Sequence, residues 1–287
     1  MNGISDHTPA QLQRIPWSGA RIIAGMLCLT ACLAGLHPLH AAEPLPRIAC
    51  THRDHSVAVL VWHDVLPRKE VWFDTTIAEF DRQLAAIRRG QYRVIPLETL
   101  RRHLTEGAPI PPRAIVLTFD DNTRGLYDHV FPRLKRYRFP ATLFVHTDYV
   151  GVRTVKDHCT WAQLAEMQRS GLVTVQSLTC SHPPDLRAIP PQRLDHELAG
   201  SRRAIQRQLG TTVYAIAYTE GKYDARVARA IHRHGYTLAF TEDRGNACAS
   251  PNRLMIHRYS TLRRFHQALA DVDRAHRSAP LSTRRKN

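Results

Sequence analysis

Seven short apolar runs recur along the chain, at Val57–Trp62, Ala114–Phe119, Ala141–Val145, Leu172–Val175, Val213–Ala217, Thr237–Phe240 and Leu254–Ile256. Each is almost continuous in aliphatic and β-branched residues, which predicts strands covered on both faces rather than strands with one wet side. Between them the apolar positions take helical spacing. Phe80, Leu84 and Ile87 lead to Gly90; Leu194, Leu198, Ile205 and Leu209 to Gly210; Val227 and Ile231 to Gly235. Those glycines stand where a helix would pass into its C′ residue. Thr76 with Glu79, and Thr160 with Gln163, have capping-box spacing, and a last helix is predicted from Leu262 to about Val272. Strands alternating with helices predict an α/β fold with a parallel sheet, either doubly wound or closed into a barrel. No internal repeat or long linker divides it.

The N-terminus has a different pattern. Arg14 and Arg21 precede an apolar run, Ile22 to Leu36, which leads to Leu39-His40-Ala41-Ala42. The run is short of the roughly 20 residues that span a bilayer. With its basic start and small-residue exit it reads as a secretory signal over 1–42. Leu29-Thr30-Ala31-Cys32 also resembles a lipobox, so cleavage before a lipidated Cys32, with membrane anchoring, is a second possibility. Both predict an exported protein, periplasmic or anchored to the outer membrane. The predicted domain then covers 43–277, followed by a basic, disordered tail over 278–287. Cys50, Cys159, Cys180 and Cys248 remain, enough for up to two disulfides in three possible pairings.

Chemically capable side chains fall just after the predicted strands. His63 and Asp64 follow the first, Asp120 and Asp121 the second, His146 and Asp148 the third. Ser177 to His182 follow the fourth, Thr219-Glu220-Gly221 the fifth, and His257 and Arg258 the last. In parallel α/β folds the chemistry sits at the carboxyl ends of strands, so this clustering points to a metal-assisted or acid/base hydrolase. Any one of these residues alone would read as a turn residue.

Leu117-Thr118-Phe119-Asp120-Asp121-Asn122 resembles the first motif of the polysaccharide deacetylases, carbohydrate esterase family 4. Val59-Leu60-Val61-Trp62-His63-Asp64-Val65 resembles the early strand of the poly-N-acetylglucosamine deacetylase branch. Pro140 to Val145, Ser181-His182-Pro183, Ala217-Tyr218 and Gly221-Lys222-Tyr223 agree with later stretches in order and spacing. The resemblance covers about residues 55 to 275. It implies a distorted (β/α) barrel, a divalent metal, usually zinc, and removal of N-acetyl groups from a glycan. An amide carbonyl is a poor electrophile, and a metal both polarises it and acidifies water. On this resemblance Asp121 and His182 are ligands, and Asp120 is the general base. His63 is the general acid, with His257 behind it. Arg258 holds Asp120 as a carboxylate, because Ala217 occupies the usual arginine position. A backbone N–H near Glu220 and Gly221 supplies the oxyanion contact.

The departures carry equal weight. The second motif normally offers two histidines four positions apart, and here the first is Leu178. One ligand of four is worth on the order of 3 kcal/mol of zinc binding, roughly a hundredfold, so the metal is expected to be weak or lost unless another group substitutes. His146, after the neighbouring strand, and Cys180, a soft donor two residues from His182, are the candidates. The competing readings are a surface histidine and a disulfide partner or buried thiol. Asn122 replaces a glycine, a mild change because Asn tolerates positive φ. Thr219 and Glu220 replace Pro-Tyr, and Glu220 brings a charge that opposes an oxyanion.

Composition adds the choice of partner. With 40 Lys+Arg against 25 Asp+Glu, the 287 residues carry +15, and 43% are hydrophobic, which excludes a disordered or polytopic membrane protein. Losing Asp6, Arg14 and Arg21 with the signal hardly changes that charge. A basic exported domain attracts acidic polymers, so an N-acetylated or acidic polysaccharide is the expected partner. Nucleic acid is not, since the basic residues are dispersed as pairs on helices without a recognition motif. The expected function is a metal-dependent deacetylase of an envelope or biofilm polysaccharide. The alternatives are a glycan-binding domain that has lost its chemistry and a structural partner in an export complex.

Overall fold

The fully apolar run Ala58–Trp62 forms strand β1, with every residue buried. The structure, a computed structural model, describes residues 44–50 and 56–278. The predicted signal over 1–42, its Cys32 and residues 279–287 of the predicted tail lie outside the described residues. After β1 come β2 (Val65–Leu66), β3 (Thr75–Thr76), β4 (Arg93–Val94), β5 (Ala114–Phe119), β6 (Ala141–Val145), β7 (Val173–Ser177), β8 (Ala215–Ala217), β9 (Leu238–Phe240) and β10 (Tyr259–Ser260). The helices are α1 (Ile77–Arg89), α2 (Leu97–Glu106), α3 (Phe131–Tyr137), α4 (Trp161–Arg169), α5 (Pro191–Leu209), α6 (Ala225–Arg233) and α7 (Thr261–Ser278).

The main sheet is parallel throughout, in the order β10-β1-β5-β6-β7-β8-β9, with β4 added beside β5. It is a distorted (β/α) barrel. Between β9 and β10 a single bridge, Phe240 to Ile256, stands in for a ladder. Leu254–Ile256 is therefore not the strand its apolar run predicts. It is buried beneath neighbouring side chains, and the strand that joins β1 is the two-residue Tyr259–Ser260. Burial with only a one-residue bridge gives the same apolar pattern as a strand. α2 is not among the predicted elements although Leu97, Leu100 and Leu104 have helical spacing, whereas the two-residue β4 is too short to leave a periodic signal.

Local chemistry sets the helix ends. Both capping boxes form: Thr76 Oγ1 accepts from the Glu79 amide while Glu79 Oε2 accepts from the Thr76 amide at 2.8 Å, and Thr160 pairs likewise with Gln163. Gly210 and Gly235 take the expected left-handed conformation, but Gly90 does not. At Gly90 the requirement is space, since a Cβ would run into the Tyr92 ring. Among the described residues no helix is long and apolar enough to cross a membrane.

Register brings the strand ends level. Trp62 pairs with Phe119, and the amide of Asp120 donates to Trp62 O at 2.9 Å. Beneath that rim Trp62 stacks on Phe119 with centroids 5.2 Å apart, and Phe80 of α1 packs edge-on at 5.6 Å from Trp62. Each such pair adds about 0.5–1.5 kcal/mol beyond its buried area, which anchors α1 under the strand ends. The loops above are held by charge. Lys156 Nζ donates to Asp64 Oδ2 at 2.9 Å and Asp74 Oδ1 at 2.6 Å, both carboxylates being buried. Asp74 Oδ2 also accepts from the Glu70 and Val71 amides, shaping the loop that carries Trp72 and Phe73.

Removing the cation between two buried carboxylates leaves both without their partner. Lys156→Met is expected to lower the urea unfolding free energy by about 3 kcal/mol or more. The neighbouring Val155→Ser, at a position 96% exposed, should stay within about 0.5 kcal/mol. Equal midpoints for the two variants would show that the Lys156 network adds nothing to stability.

Candidate active site

Parallel strands of matched register deliver their following residues to one rim, and a cleft of about 260 Å³ opens there. His63, Asp120, Asp121, Leu178, His182 and Glu220 all line it. An adjoining hollow of about 280 Å³ is lined by His146, and Asp121, His182 and Glu220 face both spaces. Of the residues singled out from the sequence, Cys180 and His257 stand apart. The Cys180 sulfur lies against α5, 3.6 Å from Glu197 O, where burial pushes its thiol up to about 11. The His257 ring packs against Gly245. All four described cysteines are free thiols rather than the two disulfides the sequence allowed.

Asp120 is held by an arginine from the far end of the chain. Arg258 Nη1 and Nη2 donate to Asp120 Oδ1 and Oδ2 at 2.9 and 2.8 Å, and its Nε donates to Thr241 O at 2.9 Å. Both side chains are buried. A bidentate fork of this kind fixes the plane of the carboxylate as well as its charge. Asp121 follows at φ 75° and Asn122 at φ 40°, so the chain turns sharply at the end of β5 and sends the tandem carboxylates in different directions. Asn122 then does work a glycine could not do: its Oδ1 accepts from the His146 amide at 3.1 Å, tying the end of β6 to this turn.

His146 is the residue whose setting the sequence did not reveal. It is 4% exposed, and neither ring nitrogen has a hydrogen-bond partner. An unpartnered buried polar group costs about 1–3 kcal/mol and calls for a physical account. Its Nε2 lies 3.6 Å from Asp121 Oδ1, while His182 Nε2 lies 4.0 Å from the same oxygen. The two imidazole centroids are 5.2 Å apart. Burial first, then the imidazoles of His182 and His158, lower the His146 pKa to about 2, so the ring is neutral. Neutral imidazole is the form that binds metal. Removal from solvent pushes the Asp121 carboxyl upward and the Asp120 carboxylate adds to this, with His63 and His182 opposing. Two imidazoles beside one carboxyl group, with both ring nitrogens of His146 unpartnered, are a donor set that fits a divalent cation of the zinc class.

The remaining parts sit at the mouth. Glu220 is exposed, at φ 52° in the turn after β8, and the Gly221 amide donates to Tyr218 O at 3.0 Å. Trp72, 68% exposed, and Phe73 line the cleft on the other side, with Phe73 5.4 Å from the His63 ring. Adjacent aromatics in an otherwise polar loop were the available sequence signal for this wall, which apolar periodicity alone passes over.

Residues 107–239 match the family model described as polysaccharide deacetylase. The poly-β-1,6-N-acetyl-D-glucosamine N-deacetylase of Escherichia coli (strain K12) is 25% identical over 182 residues, covering 55% of this chain and 26% of that protein. The chain thus matches about a quarter of that relative's length. The structure of IcaB from Ammonifex degensii superposes with a TM-score of 0.67 at 26% identity, covering 76% of this chain and 97% of its own. The Streptococcus pyogenes deacetylase PplD, solved in complex with acetate, superposes at 0.69 with 25% identity, covering 79% and 99%.

The ion pair can be tested by a double-mutant cycle. Arg258→Met strands a buried carboxylate and is expected to cost about 3–5 kcal/mol in chemical denaturation, whereas Asp120→Leu combined with Arg258→Met should recover most of it. Additive losses would show that the two side chains are not coupled.

Proposed function

We propose that this chain, which carries a polysaccharide deacetylase domain, is an exported metal-dependent hydrolase that removes N-acetyl groups from a cell-envelope or biofilm polysaccharide such as poly-β-1,6-N-acetylglucosamine. The observation that carries the reading is the convergence of Asp121, His146 and His182 beside the Asp120–Arg258 pair. Asp121, His146 and His182 would hold the metal, with His146 taking the role left vacant by Leu178. Bound there, a zinc-class ion would polarise the acetamide carbonyl and lower the pKa of water from roughly 15.7 to about 7.

The chain's own groups divide the proton traffic. Asp120, oriented by Arg258, has carboxylate lone pairs left to take a proton from the attacking water. His63, which also lines the cleft, would protonate the leaving amine. Trp72 offers a flat apolar face against which a pyranose ring can rest, and Phe73 closes the wall beneath it. Glu220 disfavours a developing oxyanion but suits the ammonium of a deacetylated glucosamine, which assigns it to product or substrate contact rather than to the oxyanion. The apolar run and small-residue exit in 1–42 support export, and the basic surface supports an acidic or envelope polymer as the setting.

A second reading, a glycan-binding domain without turnover, is favoured by Leu178 and Glu220 in the cleft wall. Acetate release from N-acetylglucosamine oligomers with added zinc or cobalt separates the two. Asp120→Asn should abolish release while leaving metal binding largely intact. His146→Gln and His182→Gln should each weaken metal affinity by about a hundredfold. Leu178→His added to His146→Gln should recover part of it. Undiminished affinity in His146→Gln would remove His146 from the site, and glycan binding without acetate would establish the second reading.

A further inference from the structure

A second cluster of ligand-type side chains lies at the opposite, amino-terminal end of the sheet. The sulfurs of Cys50 and Cys248 and a ring nitrogen of His103 all lie within 4.8 Å of one another. Three separate parts of the chain supply them. Cys50 belongs to the segment 44–50, which is tied to α2 by the Ala49 amide donating to Leu104 O at 2.8 Å and to the 252–256 loop by the Arg253 amide donating to Pro46 O at 3.0 Å. His103 sits on α2 and is 4% exposed. Cys248 lies in a short turn, Ala247–Ala249, whose first residue donates to Val57 O just before β1.

The imidazole is set for ligation. His103 Nδ1 is 2.7 Å from Ala108 O, and a carbonyl can only accept, so Nδ1 carries a proton and the neutral ring presents its lone pair at Nε2. That Nε2 lies 3.5 Å from Cys248 Sγ. A backbone carbonyl behind a ligating histidine is the usual means of fixing its tautomer and ring orientation. Asn246 Oδ1 accepts from the Cys248 amide at 2.9 Å and from Val57 N at 3.2 Å, which fixes the turn from which the sulfur projects. The hydrogen bond from Cys248, with His103 beside it, holds the Cys50 thiol well below the usual range, while Cys248 is raised as the proton donor of the pair. A disulfide between the two sulfurs would use neither the imidazole nor its carbonyl support.

We propose that Cys50, His103 and Cys248 form a second metal site, a Cys2His set for a zinc-class ion, distinct from the cleft and serving to clamp the segment 44–50 to α2 and the 247–249 turn. Two thiolates and a neutral imidazole are a donor set that zinc prefers. Both cysteines are partly exposed, so water completes the fourth position. On binding, whatever protons the two sulfurs and His103 Nε2 still carry pass to solvent, and no electron is transferred.

The test is a cobalt titration of the full chain, reduced, stripped of metal and kept free of oxygen. A near-ultraviolet sulfur-to-cobalt charge-transfer band should grow to one equivalent. Asp121→Asn should leave it intact, since the cleft holds no sulfur ligand. Cys50→Ser and Cys248→Ser should each abolish the band, and His103→Gln should weaken cobalt affinity by about a hundredfold. Should the serine variants fail to fold, alkylation of the unaltered protein decides: zinc should protect Cys50 and Cys248 from iodoacetamide and leave Cys159 and Cys180 unchanged. Absence of the band, alkylation unaffected by zinc, or a Cys50–Cys248 disulfide that persists under the reducing conditions would each overturn the proposal.

Discussion

The buried fork from Arg258 to Asp120 is the constraint on which the rest of the molecule depends. A charge taken out of water is tolerated only where its partner and its remaining hydrogen bonds are supplied in good geometry. Arg258 meets that condition by joining Asp120 at the end of β5 to the carbonyl of Thr241 just beyond β9. It spans the one side of the barrel where β9 and β10 lack a ladder. The ion pair therefore does two things: it reinforces the rim where a single bridge replaces a ladder, and it orients the carboxylate that faces the cleft. Residue 217, at the end of β8, is an alanine buried in the core, and the guanidinium arrives from the other side of the opening.

The surroundings of Asp121 are likewise set by neighbouring strands. Leu178 is part of the apolar wall, packed with the cluster that contains Phe144, Ala217 and Phe240. His146, one strand away, stands buried against Asp121 with both ring nitrogens unpartnered. Adjacent parallel strands run about 4.8 Å apart, so neighbouring strand ends present side chains to overlapping volumes. β6 and β7 are such neighbours, with Val145 opposite Ser177, so the residue after either strand can reach the same carboxylate. Asn122 fixes the start of the loop after β6 by accepting from the His146 amide.

The cysteines divide by environment in the same manner. Cys159 and Cys180 are buried among backbone carbonyls, and burial raises both thiols, to about 12 and about 11. These are inert packing groups. Cys50 and Cys248 instead pack at the edge of an apolar cluster beside an oriented imidazole.

Most of the fold was legible from residue pattern alone. Ala114–Phe119 and Ala141–Val145 are strands over the ranges their apolar runs predict, both capping boxes form, and the polar residues after the strands gather at one rim. Those features depend on neighbours in sequence, or on burial of a whole strand, and so leave a mark on the one-dimensional pattern. The misplaced strand at Leu254–Ile256 marks the limit, because a buried loop and a buried strand are equally apolar. Which of several histidines meets Asp121, where Cys180 points, and that Cys50, His103 and Cys248 meet at all were decided by tertiary structure. These contacts join residues distant in sequence, and their distances follow from strand register and helix packing, neither of which any local pattern encodes.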